Sequence, residues 1–352
     1  MNARRTLAIL LVAALLVPAL IVRGGAASGS ASSFRSGLVR AQAQCPTGEY
    51  PTKNLQIMAP ASPGGGWDTT AREMATALGQ GVTSQKVDVF NVPGAGGTVG
   101  LAELVNEHKG DDHFLMMMGL VMVGAIATNA SPVSLENTTP IARLIAEYEV
   151  VVVPANSPYQ TLADLVAAFQ ADPGSIAWGG GSAGGTDHIL VGLIAQAVGV
   201  DPTQINYIPF SGGGEALAAV LGGQVAAGVS GLGEWQQQIE AGELRALALS
   251  TGAVGGAATP TTGAAIPSLQ SQGVDVALAN WRGIVAPPDI SDEARQCMIA
   301  MVDQMHGGEA WSQVLAQNGW QDFYQTGDEF GAYLEQERER VDGVLRDLGL
   351  IE

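Results

Sequence analysis

Four glycine-rich segments hold the residue types that could do chemistry: Pro63-Gly64-Gly65-Gly66-Trp67-Asp68-Thr69, Pro93-Gly94-Ala95-Gly96-Gly97-Thr98, the run Gly179 to His188, and Phe210-Ser211-Gly212-Gly213-Gly214-Glu215. Each follows a short apolar run and opens a helical pattern. A helix start leaves backbone N–H groups unpaired and carries a partial positive charge. Glycine lets a backbone approach a ligand closely. Together these make an anion site that needs no cationic side chain. Hydroxyls at Thr69, Ser182, Thr186 and Ser211 can add hydrogen bonds. One such loop alone is an ordinary turn with an N-cap such as Asp68 or Thr186. Four in one chain, alternating with strands, make a binding site the better reading.

Enzyme motifs also occur within the third loop. Gly179-x-Gly181-x-x-Gly184 matches the dinucleotide fingerprint, but Asp201 precedes the next strand instead of ending it. Gly180-x-Ser182-x-Gly184 matches a hydrolase nucleophile elbow. Its base would have to be a late loop histidine, whereas His188 lies six residues on and His306 sits at a helix end. No loop ends in Gly-Lys-Ser/Thr, which excludes a P-loop. The four histidines (108, 113, 188, 306) lack metal-ligand spacing, so no metal and no cofactor is expected.

The elements that must position these loops follow from periodicity. Strands are expected at 55–58, 87–92, 114–118, 150–153, 176–178, 205–208, 225–229 and 244–249. Between them lie helical patterns, including Ala71-Met74-Ala75-Leu78, 98–107, 187–198 and 215–221. Strand–helix alternation implies mainly parallel sheets with helices on both faces. Near Ala279 a strand ends in Pro287-Pro288, and helices follow at about 292–305 and 327–348. Phe330, Leu334, Val341, Leu345 and Leu348 form an apolar stripe that reads as core. The 352 residues suffice for about two domains.

Charge and termini bound the partners. The net charge is −18, and residues 1–45 hold five Arg and no acid. The remainder carries 11 basic and 34 acidic residues, a net −23. That excludes nucleic acid as a partner and works against anionic membranes. Arg4 and Arg5, followed by the apolar run Thr6 to Val22, fit an export signal. Cleavage after Ala41-Gln42-Ala43 and cleavage near Ala27 both fit, and an uncleaved anchor stays open. Export permits a disulfide between Cys45 and Cys297, with two separate thiols as the alternative.

The segments PASPGGGWDTTAR, NVPGAGGTVG, WGGGSAGGTDH, YIPFSGGGEALAAVLGGQV, GELRALALS, ANWRGIVAPPDIS and NGWQDFY, in this order from about Tyr50 to the C-terminus, resemble the substrate-binding receptors of tripartite tricarboxylate transporters, the Bug-type receptors. The resemblance implies a periplasmic-binding-protein-like α/β fold, with two lobes joined by two crossover strands and a ligand cleft between them. Residues 1–44 would be signal peptide and linker, 45–150 with 278–352 the first lobe, and 151–277 the second. It implies an exported monomer in the periplasm or on the outer face of the cytoplasmic membrane, which hands a small carboxylate to permease subunits. Trp67 and the Gly-Thr-Asp-His run resemble the tricarboxylate subgroup, with citrate or another tricarboxylate as the implied ligand. The implied site is Gly65, Gly66, Trp67, Asp68 and Thr69 on one lobe. On the other it is Ser182, Ala183, Gly184, Gly185, Thr186 and Asp187, with Ser211 and with Ser230 where wider members carry Asp. Arg72 is expected to pair with Asp68. The resemblance also puts Cys45 and Cys297 in one lobe, where a bridge would tie the mature N-terminus to a helix. The rivals are an exported hydrolase using Ser182 and a sensor feeding a signalling partner.

Overall fold

The computed structural model describes residues 45–46, 48, 50–210, 212–252 and 266–352. The export-signal reading and Ser211 lie outside them. Three βα steps open the described chain: β1 (Leu55–Ala59) and α1 (Gly66–Gly79), β2 (Val87–Asn91) and α2 (Thr98–Glu107), β3 (Phe114–Gly119) and α3 (Leu120–Thr128). β3 is buried along its whole length, as an unbroken apolar FLMMMG run requires of a strand covered on both faces. Parallel pairing sets β1 between β2 and β3.

The next strand organises the molecule. β4 runs from Thr139 to Pro154, 16 residues, where the sequence pattern suggests only 150–153. Arg143, Glu147 and Glu149 break the apolar run that marks a strand, and all three side chains are instead buried or half-buried and partnered. Arg143 donates Nε–H to the Phe323 carbonyl at 2.7 Å and lies over the Phe323 and Tyr333 rings.

Past β4 the second lobe repeats the βα step. It contains α4 (Leu162–Ala171), β5 (Ala177–Gly180), α5 (Thr186–Val198), β6 (Asn206–Pro209), α6 (Gly213–Leu221), β7 (Ala227–Gly231), α7 (Leu232–Glu240) and β8 (Leu244–Leu249). The chain then returns through β9 (Ala279–Ala286) to α8 (Asp292–His306), α9 (Glu309–Asn318), β10 (Gln321–Thr326) and α10 (Gly327–Asp347). The strand order is β2-β1-β3-β9-β4-β7-β5-β6, with β8 and β10 also on β4. Pairing is parallel at both flanks and antiparallel wherever β4 or β9 takes part.

β4 therefore belongs to both lobes. Its first half lies between β9 and β10, and its second half between β7 and β8. Val151 and Val153 face the main core, while Val150 and Val152 face a smaller one with Trp235 and Val220, the period-2 alternation of a strand buried on both sides. Buried Ser250 ties the two crossover segments together. It accepts the Glu149 N–H at 3.0 Å and donates to the Leu278 carbonyl at 2.6 Å. The stripe on α10 is buried as expected. A Cys45–Cys297 disulfide, 252 residues apart in sequence, fixes the start of the described chain to α8.

Candidate functional site

The first glycine loop is shaped by its own carboxylate. Gly64 has φ +81, a conformation that favours glycine, and its N–H donates to Asp68 Oδ2 at 2.8 Å. Asp68 Oδ1 accepts from Arg72 Nε and Asn91 Nδ2, each at 2.9 Å. Burial works against the charge, but the bonds from Arg72, Gly64 and Asn91 outweigh it and hold the carboxyl below its ordinary range. Asp68 is thus a positioning residue that joins the loop to β2. Trp67 is buried too. A Cβ on Gly97 would lie 2.7 Å from its ring, and one on Gly119 would lie 3.2 Å from its Nε1. Of this loop, Gly64, Gly66 and Thr69 line the cleft.

The second glycine loop is a packing device. Gly94, Gly96 and Gly97 all have positive φ. A Cβ on Gly96 would stand 2.5 Å from the Ala125 Cβ on α3.

The third loop joins β5 to α5 and leans on the opposite lobe. Gly184 has φ +73, and an added Cβ would meet Thr128 Cγ2 at 2.4 Å. Its carbonyl lies over Gly124, where a Cβ would come within 2.2 Å. Gly185 is the N-cap at φ −77, so the special backbone conformation belongs to its neighbour. Ser182 and Ala183 are exposed, and Thr186 is buried with an Oγ1 that has no partner. Asp187 Oδ2 accepts the Gly181 N–H at 2.6 Å, and Tyr207 donates its hydroxyl to the Gly181 carbonyl at 2.8 Å. His188 stacks on Tyr207 at 4.0 Å and accepts the Gly184 N–H on Nδ1 at 3.1 Å. Burial pushes its pKa down to about 4, so it is neutral at neutral pH. Its Nδ1 is committed to a backbone donor and is not available as a base for Ser182.

At the start of α6, the place expected for an incoming anion holds another carboxylate of the chain. A Cβ on Gly213 would lie 2.2 Å from Glu234 Oε2. Ser230, 2% exposed, donates its hydroxyl to that same oxygen at 2.5 Å. Ser230 thus holds Glu234 in place.

A cavity of about 520 Å³ lies between the lobes, within the usual range for a small-ligand site. The start of α1 forms one wall, and the first turn of α7, with Leu232 and Gly233, forms another. Glu147, Glu234, Gln236, Arg282, Gln317 and Asn318 add polar side chains to the lining. The cation that sequence reasoning left out is Arg282. It pairs with Glu147, donates to Thr70 Oγ1 at 3.2 Å and packs on Gly66, where a Cβ would touch the guanidinium. Burial raises the Glu147 carboxyl, and Arg282 opposes the shift. Glu149 lies two residues along the same strand and so on the same face. The available signal was a charge inside an otherwise apolar strand, Arg282 in ANWRGIVA and Glu147 and Glu149 in LIAEYEVVVV. A strand pattern discounts such residues, although burial of a charge demands a partner.

A cleft between two α/β lobes that share two crossover strands defines a solute-binding protein. The model of the tripartite tricarboxylate transporter family receptor matches residues 69–350, and the chain belongs to that family. The family is one of receptors, and the chain is a binding protein, not an enzyme. The protein BugT of Bordetella pertussis is 27% identical over 305 residues, 85% of this chain and 90% of BugT. Two solved structures share the fold. Rpa4515 of R. palustris, with adipate, has a TM-score of 0.73 at 21% identity over 86% of this chain and 99% of that one. MatC of Rhodopseudomonas palustris, with bound malate, has a TM-score of 0.69 at 19% identity over 84% and 100%.

Proposed function

We propose that the protein is an exported receptor that captures a small carboxylate between its lobes and delivers it to the membrane permease of a tripartite transporter. The observation that carries this reading is the cavity itself. The N-terminal turns of α1 and α7 face it from opposite lobes, beside the Arg282 guanidinium. Helix starts and a guanidinium are the groups that recognise carboxylate oxygens. The adipate and malate in the two structural neighbours agree with that ligand class. Citrate, implied by the sequence resemblance, is the first tricarboxylate to test.

In this reading residues 45–150 with 278–352 form one lobe and 151–277 the other, closing as a monomer on the ligand. Gly66 and Thr69 contact it from the first lobe and the first turn of α7 from the second, whereas Gly65 and the run Ser182 to Thr186, expected from the sequence to touch ligand, are not among the residues that line this cavity. Trp67, Asp68 and Ser230 hold those contacts in position, and Asp187 holds the third loop.

A thermal-shift screen tests the proposal. Citrate, malate, adipate or a close relative should raise the melting temperature, by linkage worth about 2.7 kcal/mol at a hundredfold excess over Kd. Stabilisation by sugars or cationic amino acids alone would rule the carboxylate class out.

A further inference from the structure

The cavity between the lobes has two poles. The starts of α1 and α7 and the Arg282 guanidinium supply donors and positive charge, as a carboxylate requires. The remaining wall carries groups of the opposite kind. The end of α9 lines the cavity with Ala316, Gln317 and Asn318, followed by Gly319 and Trp320. A helix end leaves carbonyl oxygens unpaired and carries a partial negative charge. Here the N–H groups of Gly319 and Trp320 take the carbonyls of Ala316 and Leu315, at 3.4 and 3.0 Å. No backbone N–H among the described residues takes those of Gln317 and Asn318.

Glu234, in the first turn of α7, is exposed and lines the same cavity. Its two oxygens differ. Oε2 is anchored, because it accepts the Ser230 hydroxyl at 2.5 Å and lies against Gly213 at the start of α6. Oε1 accepts no hydrogen bond, and the carboxylate pairs with no cation, among the described residues. The other cavity carboxylate, Glu147, already has Arg282 as its partner. The lining thus sets two carboxylates against one guanidinium. A ligand built of carboxylates alone suits the first pole and opposes the second. It has acceptors only, so it offers nothing to Glu234 Oε1 or to the α9 carbonyls, and its charge repels Glu234.

We propose that the receptor selects carboxylates that also carry a hydrogen-bond donor, an ammonium or a hydroxyl group, and that Glu234 is the residue that receives it. The proposal rests on the carboxylate reading above. An ammonium answers the surplus negative charge as well as the free acceptor, so it binds more tightly than a hydroxyl. Ser230 and the start of α6 act through Glu234: they fix its carboxylate by Oε2 and leave Oε1 for the ligand. Carboxylates on a bare methylene chain are the poor ligands.

Calorimetric titration of the mature protein with matched compounds tests this: succinate against malate and aspartate, adipate against aminoadipate, and tricarballylate against citrate. Each set keeps the carboxylates of one skeleton and changes the donor. On whichever skeleton binds, the donor-bearing member should bind at least about tenfold more tightly. Glu234→Gln leaves Ser230 an acceptor, the amide oxygen, and puts an NH2 donor where Oε1 stands. In that variant the advantage should shrink to about threefold or less. A purely structural role for Glu234 would weaken both members of a set alike and leave their ratio as it was. A cooperative melt checks that the variant folds, and the wild-type ratios decide the matter even where it does not. An unchanged ratio in folded Glu234→Gln, or a wild-type protein that binds the bare compound as tightly as its donor-bearing match, would overturn the proposal and leave the receptor reading intact. If none of these carboxylates binds, the receptor reading itself fails and takes this proposal with it.

Discussion

Gly184 shows how a single position sets the third loop. Its φ of +73 costs a non-glycine residue about 1–2 kcal/mol, and an added Cβ would also press on Thr128 Cγ2. Gly184→Ala should therefore destabilise the fold by more than the backbone cost alone. Adding Thr128→Ala should recover only the contact part, so chemical denaturation of both single variants and the double variant should show a coupling energy of about 0.5–2 kcal/mol. Perfectly additive effects would mean that the loop and α3 do not touch. The sequence marks this loop by its glycines, yet it does not say which glycine needs the left-handed conformation. Nor could composition reveal that Asp68, Asp187 and Glu234 each sit against the glycine-rich starts of the chain's own helices. A carboxylate near a glycine loop reads the same whether it contacts ligand or fixes the loop, and only the hydrogen bonds distinguish the two.

At the scale of elements, βα alternation was legible because strands such as β3 and stripes such as that of α10 obey simple periods. β4 was not, since its Arg and Glu residues are buried only because β9 and the loops around it supply partners. α3 was missed for the opposite reason, as LVMVGAIAT is apolar throughout and has no polar face to mark a helix. The link between Cys45 and α8 is a tertiary fact that two isolated cysteines could only permit. Thiol titration of denatured, unreduced mature protein should find no free thiol. Replacing both cysteines by serine should lower stability by about 2–4 kcal/mol, read by denaturant unfolding. Two reactive thiols in the untreated protein would exclude the bridge.

On the scale of the whole molecule, an acidic chain must hold an anion in a cleft whose own acids outnumber its cations. Long-range attraction contributes nothing here. Capture has to come from short-range donors on both lobes, made stronger where the closed cleft excludes water. The first turn of α7 makes this testable without touching any hydrogen-bonding side chain. Gly233 lines the cavity, and an added Cβ there meets nothing within 4 Å, so Gly233→Phe should fold while its ring fills ligand space. Gly214 on α6 is equally open and does not line the cavity, which makes Gly214→Phe the control. Calorimetric titration of the three proteins with whichever of citrate, malate or adipate binds the wild type is the decisive measurement. The account predicts at least a tenfold loss of affinity for Gly233→Phe, about 1.4 kcal/mol, and a wild-type value for Gly214→Phe. A folded Gly233→Phe protein that binds the carboxylate as tightly as wild type would place the ligand outside this cleft and contradict the account.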